Sequence, residues 1–393
     1  MPNTLLTATA VTREALRVLH QKLNFVGTIT RDYDDRFAQT GAKVGDTLKV
    51  RLPNQYVVRT GAPLGNGGTL NDTIETSTDL KVQTQKGVDM NFTSADLTMA
   101  LDDFSERILE PAMSVLAANI EADAMSMYKD VYNQVLGAGA ATFTRVLQGR
   151  KMLVDNLAPL NGRTCNLNTQ DNVDLVDALK GLFNDKATIS KQNREGYMGR
   201  TAGFDFMENT LWPSHARSAA NGAYLVNGVG QTGATLIVDT GANAPAQGDV
   251  FTIPGVFRVH PETKQPTSVQ QQFVIGAGAT ATSWPISPAI VASGAGQNVS
   301  GPPADNAAIT IAGTASTSHG ISMAYQKGAF AFATADMVMP TGVDFGCREV
   351  FDGVSMRIVR QYDINNDKFP CRLDVLYGFK TIRPQLACRL ANN

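Results

Sequence analysis

The sequence predicts an α+β protein that carries an inserted all-β module. Three observations over its 393 residues predict this class. Apolar residues recur at helical spacing in two stretches, at 12–25 and at about 103–136. Strictly alternating strands follow near the C-terminal end, as at 371–379. Between them, residues 214–313 have no helical periodicity and carry only seven charged side chains.

Composition excludes several classes of protein. Lys and Arg number 34 and Asp and Glu 36, so the chain is not a polycation that grips nucleic acid along its length. The first residues lack the pattern of an export signal, and no window is apolar enough for a membrane span. The four cysteines are far apart in sequence, which predicts free thiols and no disulfide framework or zinc site.

The first predicted helix, at 12–25, is charged on one side. Arg13, Arg17 and Lys22 stand against Glu14 alone within the helix. Two interpretations remain open. Either these side chains form a solvated face, or the helix is an arm that docks on an acidic partner.

An extended hairpin is predicted next. Strand patterns at 44–52, 56–59 and 74–90 flank a glycine-rich tip at Gly61–Gly68. Long loops without structure of their own are usually functional or mobile. Contacts with another subunit or an assembly partner are therefore expected at Arg59, Asp72 and Glu75, as well as at the three basic residues of the first helix.

The longest helical pattern follows at about 103–136. Pro111 is expected in the first turn of its main part, where the missing N–H costs no hydrogen bond. Shorter helices are predicted at 144–156 and 170–183. The module at 214–313 is expected to contain short strands separated by Gly, Pro, Asn and Ser clusters.

The residues that carry enzyme chemistry are not found in a useful pattern. None of the four histidines lies at the sequence spacing of a metal site or catalytic triad, and no nucleophile elbow is present. Gly228–Gly233 fits the dinucleotide-binding pattern, but a β-branched strand follows it, which predicts a hairpin turn. We therefore expect no catalytic, cofactor-binding or metal-ligating residues.

Three stretches resemble one family. They are Leu116-Ala-Ala-Asn-Ile-Glu-Ala-Asp123, Ala202-Gly-Phe-Asp205, and the segment from Cys371-Arg372 through Tyr377-Gly378 to Arg383-Pro384. In this order, around a β insert, they resemble the major capsid (coat) protein of tailed double-stranded DNA bacteriophages. The similarity is to the short-tailed Salmonella phage type, whose coat protein carries an inserted β-barrel domain.

The resemblance implies the tailed-phage capsid fold of the Hong Kong phage type. That fold has an N-terminal arm, an extended loop, a spine helix, an axial domain and here an inserted all-β domain. The implied boundaries are 1–31 for the arm, 32–136 for the extended loop (about 45–90) and the peripheral domain with its spine helix (about 103–136), 137–213 and 314–342 for the axial domain, 214–313 for the insert, and 343–393 for the peripheral C-terminal sheet.

The implied function is self-assembly into pentamers and hexamers of an icosahedral shell around the phage DNA, without sequence-specific DNA binding. The expected location is the virion, after assembly in the host cytoplasm. Expected partners are further copies of the chain, a scaffolding protein, a portal protein at one vertex and, optionally, a decoration protein. A separate scaffold is expected because only about thirty residues precede the hairpin region. Two alternatives remain: another virion component, such as a tail or decoration protein, and an α/β enzyme with a β substrate-binding module.

Overall fold

The computed structural model describes the chain in ranges. They are 8–31, 47–56, 58, 61–62, 75–92, 108–179, 199–220, 224–343, 345–351, 353–365 and 368–392. Helices and largely antiparallel strands occupy separate stretches, which confirms the α+β class. The chain divides into two compact units. As far as they are described, the first comprises Met1–Val50, Asp79–Met125 and Phe330–Ile382, and the second comprises Arg51–Thr78, Ser126–Ala329 and Arg383–Asn393.

Five α-helices lie in the described ranges. They are α1 (Ala8–Lys22), α2 (Phe25–Thr28), α3 (Glu110–Met125), α4 (Phe143–Asp155) and α5 (Thr169–Leu179). Short 3-10 helices cover Ser126–Asp130, Lys327–Ala329 and Pro384–Leu386.

The described strands are β1 (Thr47–Arg51), β2 (Ser77–Lys81), β3 (Thr84–Phe92), β4 (Gln134–Gly137), β5 (Arg163–Leu167), β6 (Arg200–Thr201), β7 (Phe204–Glu208), β8 (Ser214–Ala216), β9 (Leu225–Val226), β10 (Gly233–Asp239), β11 (Val250–Val259), β12 (Pro266–Ile275), β13 (Ser283–Ile290), β14 (Thr310–Ile311), β15 (Ser318–Gln326), β16 (Phe330–Ala335), β17 (Phe345–Phe351), β18 (Val354–Arg360), β19 (Phe369–Thr381) and β20 (Ala387–Asn392).

The long helix α3 is shorter than predicted. Pro111 is the second residue of α3, and residues 108–109 before it already form a π-helical turn. The predicted continuation to 136 is wrong, because α3 ends at Met125 and β4 begins at Gln134. Val135 of β4 pairs with Leu390 of β20 in a parallel ladder, and this tertiary pairing overrides the local helical spacing. Residues 101–107 and 180–198 lie outside the described ranges.

The hairpin contains β1 and β2, which pair as a two-stranded sheet. Leu52 extends the pairing, since its N–H donates to the Thr76 carbonyl at 2.8 Å. The predicted strand at 56–59 is wrong where it is described, because Tyr56 and Val58 belong to no strand. Arg59, Asp72 and most of the glycine-rich tip lie outside the described residues.

A five-stranded sheet forms the core of the first unit. Its order is β16–β19–β18–β17, and β3 pairs with β19 along the whole length of β3. The alternating strand predicted at 371–379 is the central strand β19, which buries Leu373, Val375 and Tyr377. Within the segment 314–342, which the resemblance assigns to the axial domain, β16 pairs with β19 in this sheet.

A seven-stranded sheet lies in the second unit. Its order is β4–β20–β15–β5–β7–β6, with β8 paired to β15. Within the segment 343–393, which the resemblance assigns to the peripheral C-terminal sheet, β20 pairs here with β15 and β4. The insert also begins later than residue 214, because β8 belongs to this host sheet.

The insert is a six-stranded antiparallel barrel. Its sheet order is β14–β11–β12–β13–β10–β9. The sheet closes on itself where Val226 donates to the Ala307 carbonyl at 3.1 Å and Ile309 donates to the Tyr224 carbonyl at 2.9 Å. The expected hairpin at Gly228–Gly233 is confirmed, because β9 and β10 run antiparallel on either side of it.

Aromatic side chains fill the barrel. Trp284 is fully buried, with ring centroids 4.9 Å from Tyr224 and 5.4 Å from Phe251. Aliphatic side chains from all six strands complete this core. The module thus has a hydrophobic core of its own, as expected of an independent folding unit.

Candidate assembly surfaces and the insert joint

The three basic residues of α1 are exposed, and each faces an acid of its own chain. Arg13 pairs with Glu349 of β17 at 3.5 Å, Arg17 with Glu14 at 2.5 Å, and Lys22 with Glu110 of α3 at 3.2 Å. Exposed pairs of this kind contribute little, about 0–1 kcal/mol each. They can therefore be exchanged for pairs with another molecule at small cost.

An open groove runs beside these charges. It has a volume of about 500 Å³ and lies between α1 and β17. Arg13, Arg17 and Glu349 form its charged rim, while Val350 and Phe351 supply exposed apolar surface. We call this the arm groove; it combines apolar contact area with charges of both signs.

Several described residues of the hairpin segment are exposed to solvent. Glu75 forms an exposed pair with Arg51 at 3.6 Å. Tyr56 is 67% exposed and Val58 is 88% exposed, which is far more than such side chains usually are. Of the predicted hairpin contacts, Glu75 is thus on the surface, and Arg59 and Asp72 are outside the described residues.

A buried carboxylate ties α3 to the end of the arm. Glu121 of α3 is 1% exposed, and it accepts hydrogen bonds from the backbone N–H groups of Phe25 at 3.1 Å and Val26 at 2.9 Å. These are the first N–H groups of α2, which no carbonyl within that helix can satisfy. Glu121 therefore acts as a charged cap supplied from another element.

Tyr377 and Gly378 of β19 each make a contact that requires that residue type. The Tyr377 hydroxyl donates to Asp123 of α3 at 2.5 Å, which joins the central strand to that helix. A Cβ at Gly378 would lie 2.0 Å from the Lys81 carbonyl oxygen. Only glycine permits this close backbone approach.

The Cys-Arg pair of β19 adjoins a buried ionic cluster. The Asp374 carboxylate forms ion pairs with Arg357 at 2.7 Å and with Arg372 at 2.8 Å. Burial alone would raise the pKa of Asp374, but hydrogen bonds from the two guanidinium groups hold it below its usual value. This cluster stays ionised and links β18 to β19.

A buried polar cluster joins the insert to the host sheet; we call it the insert joint. His215 of β8 contacts Asp249, the residue before β11, at 3.0 Å and the Tyr128 hydroxyl at 3.2 Å. Ser218 donates its hydroxyl proton to the same carboxylate at 2.6 Å. Burial acts to raise the pKa of Asp249, but hydrogen bonds from His215, Ser218 and a backbone N–H lower it overall.

Arg389 of β20 completes the insert joint. Its side chain is fully buried and donates to the Val131 carbonyl at 2.7 and 2.5 Å and to the Gly248 carbonyl at 2.7 Å. The guanidinium carbon lies 5.6 Å from the Tyr128 ring centroid. Burial lowers the pKa of Arg389 to about 10, which still leaves it charged at neutral pH.

Two further contacts hold the insert. The Gln272 side-chain amide of β12 accepts a hydrogen bond from the Gln134 N–H at 2.8 Å and donates one to the Gln134 carbonyl at 2.9 Å. It thus makes the same pair of hydrogen bonds to β4 that the backbone of a neighbouring strand would make. Arg258 of β11 pairs with Asp155 of α4 at 2.7 Å. The insert is thus attached by side chains as well as by its two chain connections.

The spacing of the histidines gave no sign that His215 has a buried partner. Its partner Asp249 is 34 residues away in sequence and belongs to a different module, so no local spacing could indicate the contact. Glu121 lies in the stretch Leu116–Asp123 that carries the family resemblance. That stretch gave no sign that the carboxylate of Glu121 binds backbone groups of α2.

The described residues contain neither a candidate metal site nor a membrane-spanning helix. No group of three or more His, Cys, Asp or Glu side chains there is arranged to hold a metal ion. None of the described helices is long and apolar enough to cross a membrane. All four cysteines are described and free, and Cys165, Cys371 and Cys388 are buried.

Several solved structures are similar to the chain. A structure from Mycobacterium phage Che8 has 12% identity and a TM-score of 0.48, covering 94% of this chain and 91% of that one. The capsid structure of the cyanophage P-SCSP1u has 10% identity and a TM-score of 0.45, covering 90% and 85%. The CUS-3 coat protein I-domain has 30% identity and a TM-score of 0.20, covering 24% of this chain and 98% of that one.

The family assignment rests on a different comparison. No curated protein sequence matches the chain significantly. The family model "P22 coat protein - gene protein 5" matches residues 7–389, which is nearly the whole chain and includes both units and the insert. This match confirms the predicted resemblance. The chain therefore belongs to the P22 coat protein family and is a major capsid protein of a tailed phage.

Proposed function

We propose that this coat protein assembles into pentamers and hexamers, which close into an icosahedral shell around double-stranded phage DNA. Its role in the virion is structural, without enzymatic activity. The near-balance of 34 basic and 36 acidic residues suits a shell that encloses DNA without gripping it. Repetition of one set of contacts around closed rings produces such shells from a single chain.

The observation that carries this proposal is the exposed β1–β2 hairpin. A two-stranded sheet is marginally stable on its own, and apart from the buried Val50 and Leu80 these two strands are half-buried or exposed. Tyr56, 67% exposed, and Val58, 88% exposed, lie on this hairpin and offer apolar area to another molecule. A neighbouring copy of the chain supplies the missing surface, and Arg59, Asp72 and Glu75 add polar contacts at its edge.

The arm is the proposed site for a scaffolding protein during assembly. Arg13, Arg17 and Lys22 are exposed, and their present partners are exposed or half-buried acids whose ion pairs with them contribute little. The arm groove beside them adds apolar area from Val350 and Phe351. An amphipathic partner segment that carries carboxylates fits both features. A portal protein at one vertex and, optionally, an outer decoration protein complete the expected partners.

Substitution on the hairpin tests the subunit contact. The double variant Tyr56→Ser, Val58→Ser removes apolar area from solvent-exposed positions, so the thermal unfolding of the unassembled chain should not change. Sedimentation after co-expression with the assembly proteins should then show a loss of shells. Ile237→Ser, on the exposed face of the insert strand β10, is the matched control and should assemble normally. Normal shells from the double variant would contradict the proposal.

A further inference from the structure

The insert joint contains a histidine with no hydrogen bond. His319 of β15 is 4% exposed, and within the described residues neither of its ring nitrogens has a partner. Its ring centroid lies 5.3 Å from that of His215. A buried polar group left unpaired costs about 1–3 kcal/mol, so this arrangement calls for an explanation.

The charges around the two rings are unbalanced. The titratable and charged groups that surround them come from the 3-10 helix Ser126–Asp130, from β8 and β20, and from the segments after β8 and before β11: Tyr128, Lys129, Asp130, His215, Arg217, Asp249 and Arg389. Arg217 and Arg389 are buried cations, whereas Asp249 is the buried carboxylate, and it already serves His215 and Ser218. A protonated His319 would therefore lie near two buried guanidinium cations and would have no available hydrogen-bond acceptor.

We propose that His319 makes the insert joint a proton-sensitive hinge. A proton from solvent binds a ring nitrogen of His319, and the resulting imidazolium is stable only where water reaches it. The contacts of β15 with β8 and of His215 with Asp249 then open, and the insert loosens from the host sheet. The barrel itself stays folded, because its core is made of apolar and aromatic side chains such as Trp284.

The direction of the pH effect follows from linkage. Burial, with smaller effects from nearby positive groups, lowers the pKa of His319 to about 4 in the closed joint. In the open joint it returns to about 6.5, the ordinary histidine value. Between these two values the open state binds more protons than the closed state. Acidification from pH 7.5 to 5.0 should therefore favour opening by about thirty-fold.

Amide hydrogen exchange of the unassembled full chain measures this opening. The N–H of Arg217 donates to the Thr317 carbonyl at 3.0 Å, and the N–H of Ser316 donates to the Ser218 carbonyl at 3.2 Å, so both amides report on the joint. Their protection factors, corrected for the intrinsic rate at each pH, should fall by about thirty-fold between pH 7.5 and 5.0. Amides of the barrel strands β11 and β12 should change far less.

Two substitutions separate His319 from other histidines. His319→Phe removes the titrating group without breaking a hydrogen bond, so the joint amides should keep their protection at pH 5.0. His260→Phe, in the β11–β12 turn, should leave the wild-type pH response intact. If His319→Phe does not fold, His319→Gln takes its place. Equal loss of joint protection in wild type and the His319 variant would overturn the proposal, as would a wild-type joint that is insensitive to pH.

Discussion

Glu121 of α3 binds the backbone N–H groups of Val26 and Phe25, and so a buried carboxylate fixes where the arm leaves the body of its unit. Each carboxylate oxygen accepts one of these N–H groups. The arm's position therefore depends on a single side chain of the spine helix, in addition to the apolar contacts of α1 and α2. A substitution of Glu121 should therefore disturb the arm more than the five-stranded sheet of the same unit.

Glu121→Gln is expected to lower the free energy of unfolding by about 2 kcal/mol. The amide replaces one oxygen by an NH2 group, which then faces an N–H donor, so one buried hydrogen bond is lost and two donors oppose each other. Urea unfolding of the unassembled chain measures the change. Glu110→Gln, on the same helix but exposed and paired with Lys22, should cost less than about 0.5 kcal/mol. Equal costs for both variants would contradict the capping role.

The two histidines of the insert joint should differ sharply at neutral pH. His215→Phe removes a partner from Asp249 and from Tyr128, and should cost about 2–3 kcal/mol because a buried carboxylate loses a hydrogen bond. His319→Phe breaks no hydrogen bond among the described residues and removes an unpaired buried polar group, so it should not lower stability by more than about 1 kcal/mol. Thermal unfolding at pH 7.5 compares them directly. A larger cost for His319→Phe than for His215→Phe would refute this account of the joint.

Gln272→Ala should weaken the attachment of the insert by about 1–2 kcal/mol, since both hydrogen bonds to the Gln134 backbone are lost. The effect should appear as faster exchange of the Gln134 amide. Gln270→Ala, two residues earlier on the same strand and exposed, is the control and should leave that exchange unchanged. If the Gln134 amide exchanges at the same rate in Gln272→Ala, the Gln272 side chain does not help to attach the insert to β4.

Reversal of the arm charge tests the proposed scaffold contact. Arg13→Glu with Arg17→Glu should produce misshapen particles with less scaffold, and the defect should depend on salt because the contacts are exposed ion pairs. Arg200→Glu with Lys151→Glu makes the same change in net charge at other exposed positions and should be neutral. Electron microscopy and gel analysis of precursor particles across a salt series give the readout. Normal scaffold-filled particles from the arm variant at every salt concentration would show that these side chains are only a solvated face.

Local patterns predicted the elements better than their partners. The apolar spacing of α1, the early proline of α3 and the alternation of β19 all depend on residues close in sequence, and all three elements are present. Val131 and Val135 also fit a helix, but pairing with β20 draws the latter into β4. The strand β13 contains Pro285 and Pro288, which are unusual inside a strand and hide it from a local reading of the sequence.

Long-range contacts left no local signal. The strand character of β20 does not indicate which sheet it joins, and it joins β15 and β4 of the second unit. His215 and Asp249 lie in different modules, so their contact required the three-dimensional structure. The charge-poor composition of the insert was a stronger signal, because a small barrel with an apolar core needs few charged side chains.

Electron microscopy of particles purified after co-expression of this chain with its phage's assembly proteins tests the central claim most directly. The account predicts closed icosahedral shells built of pentamers and hexamers, in which each hairpin lies against a neighbouring subunit. Tubes, or dispersed single chains under the same conditions, would contradict it.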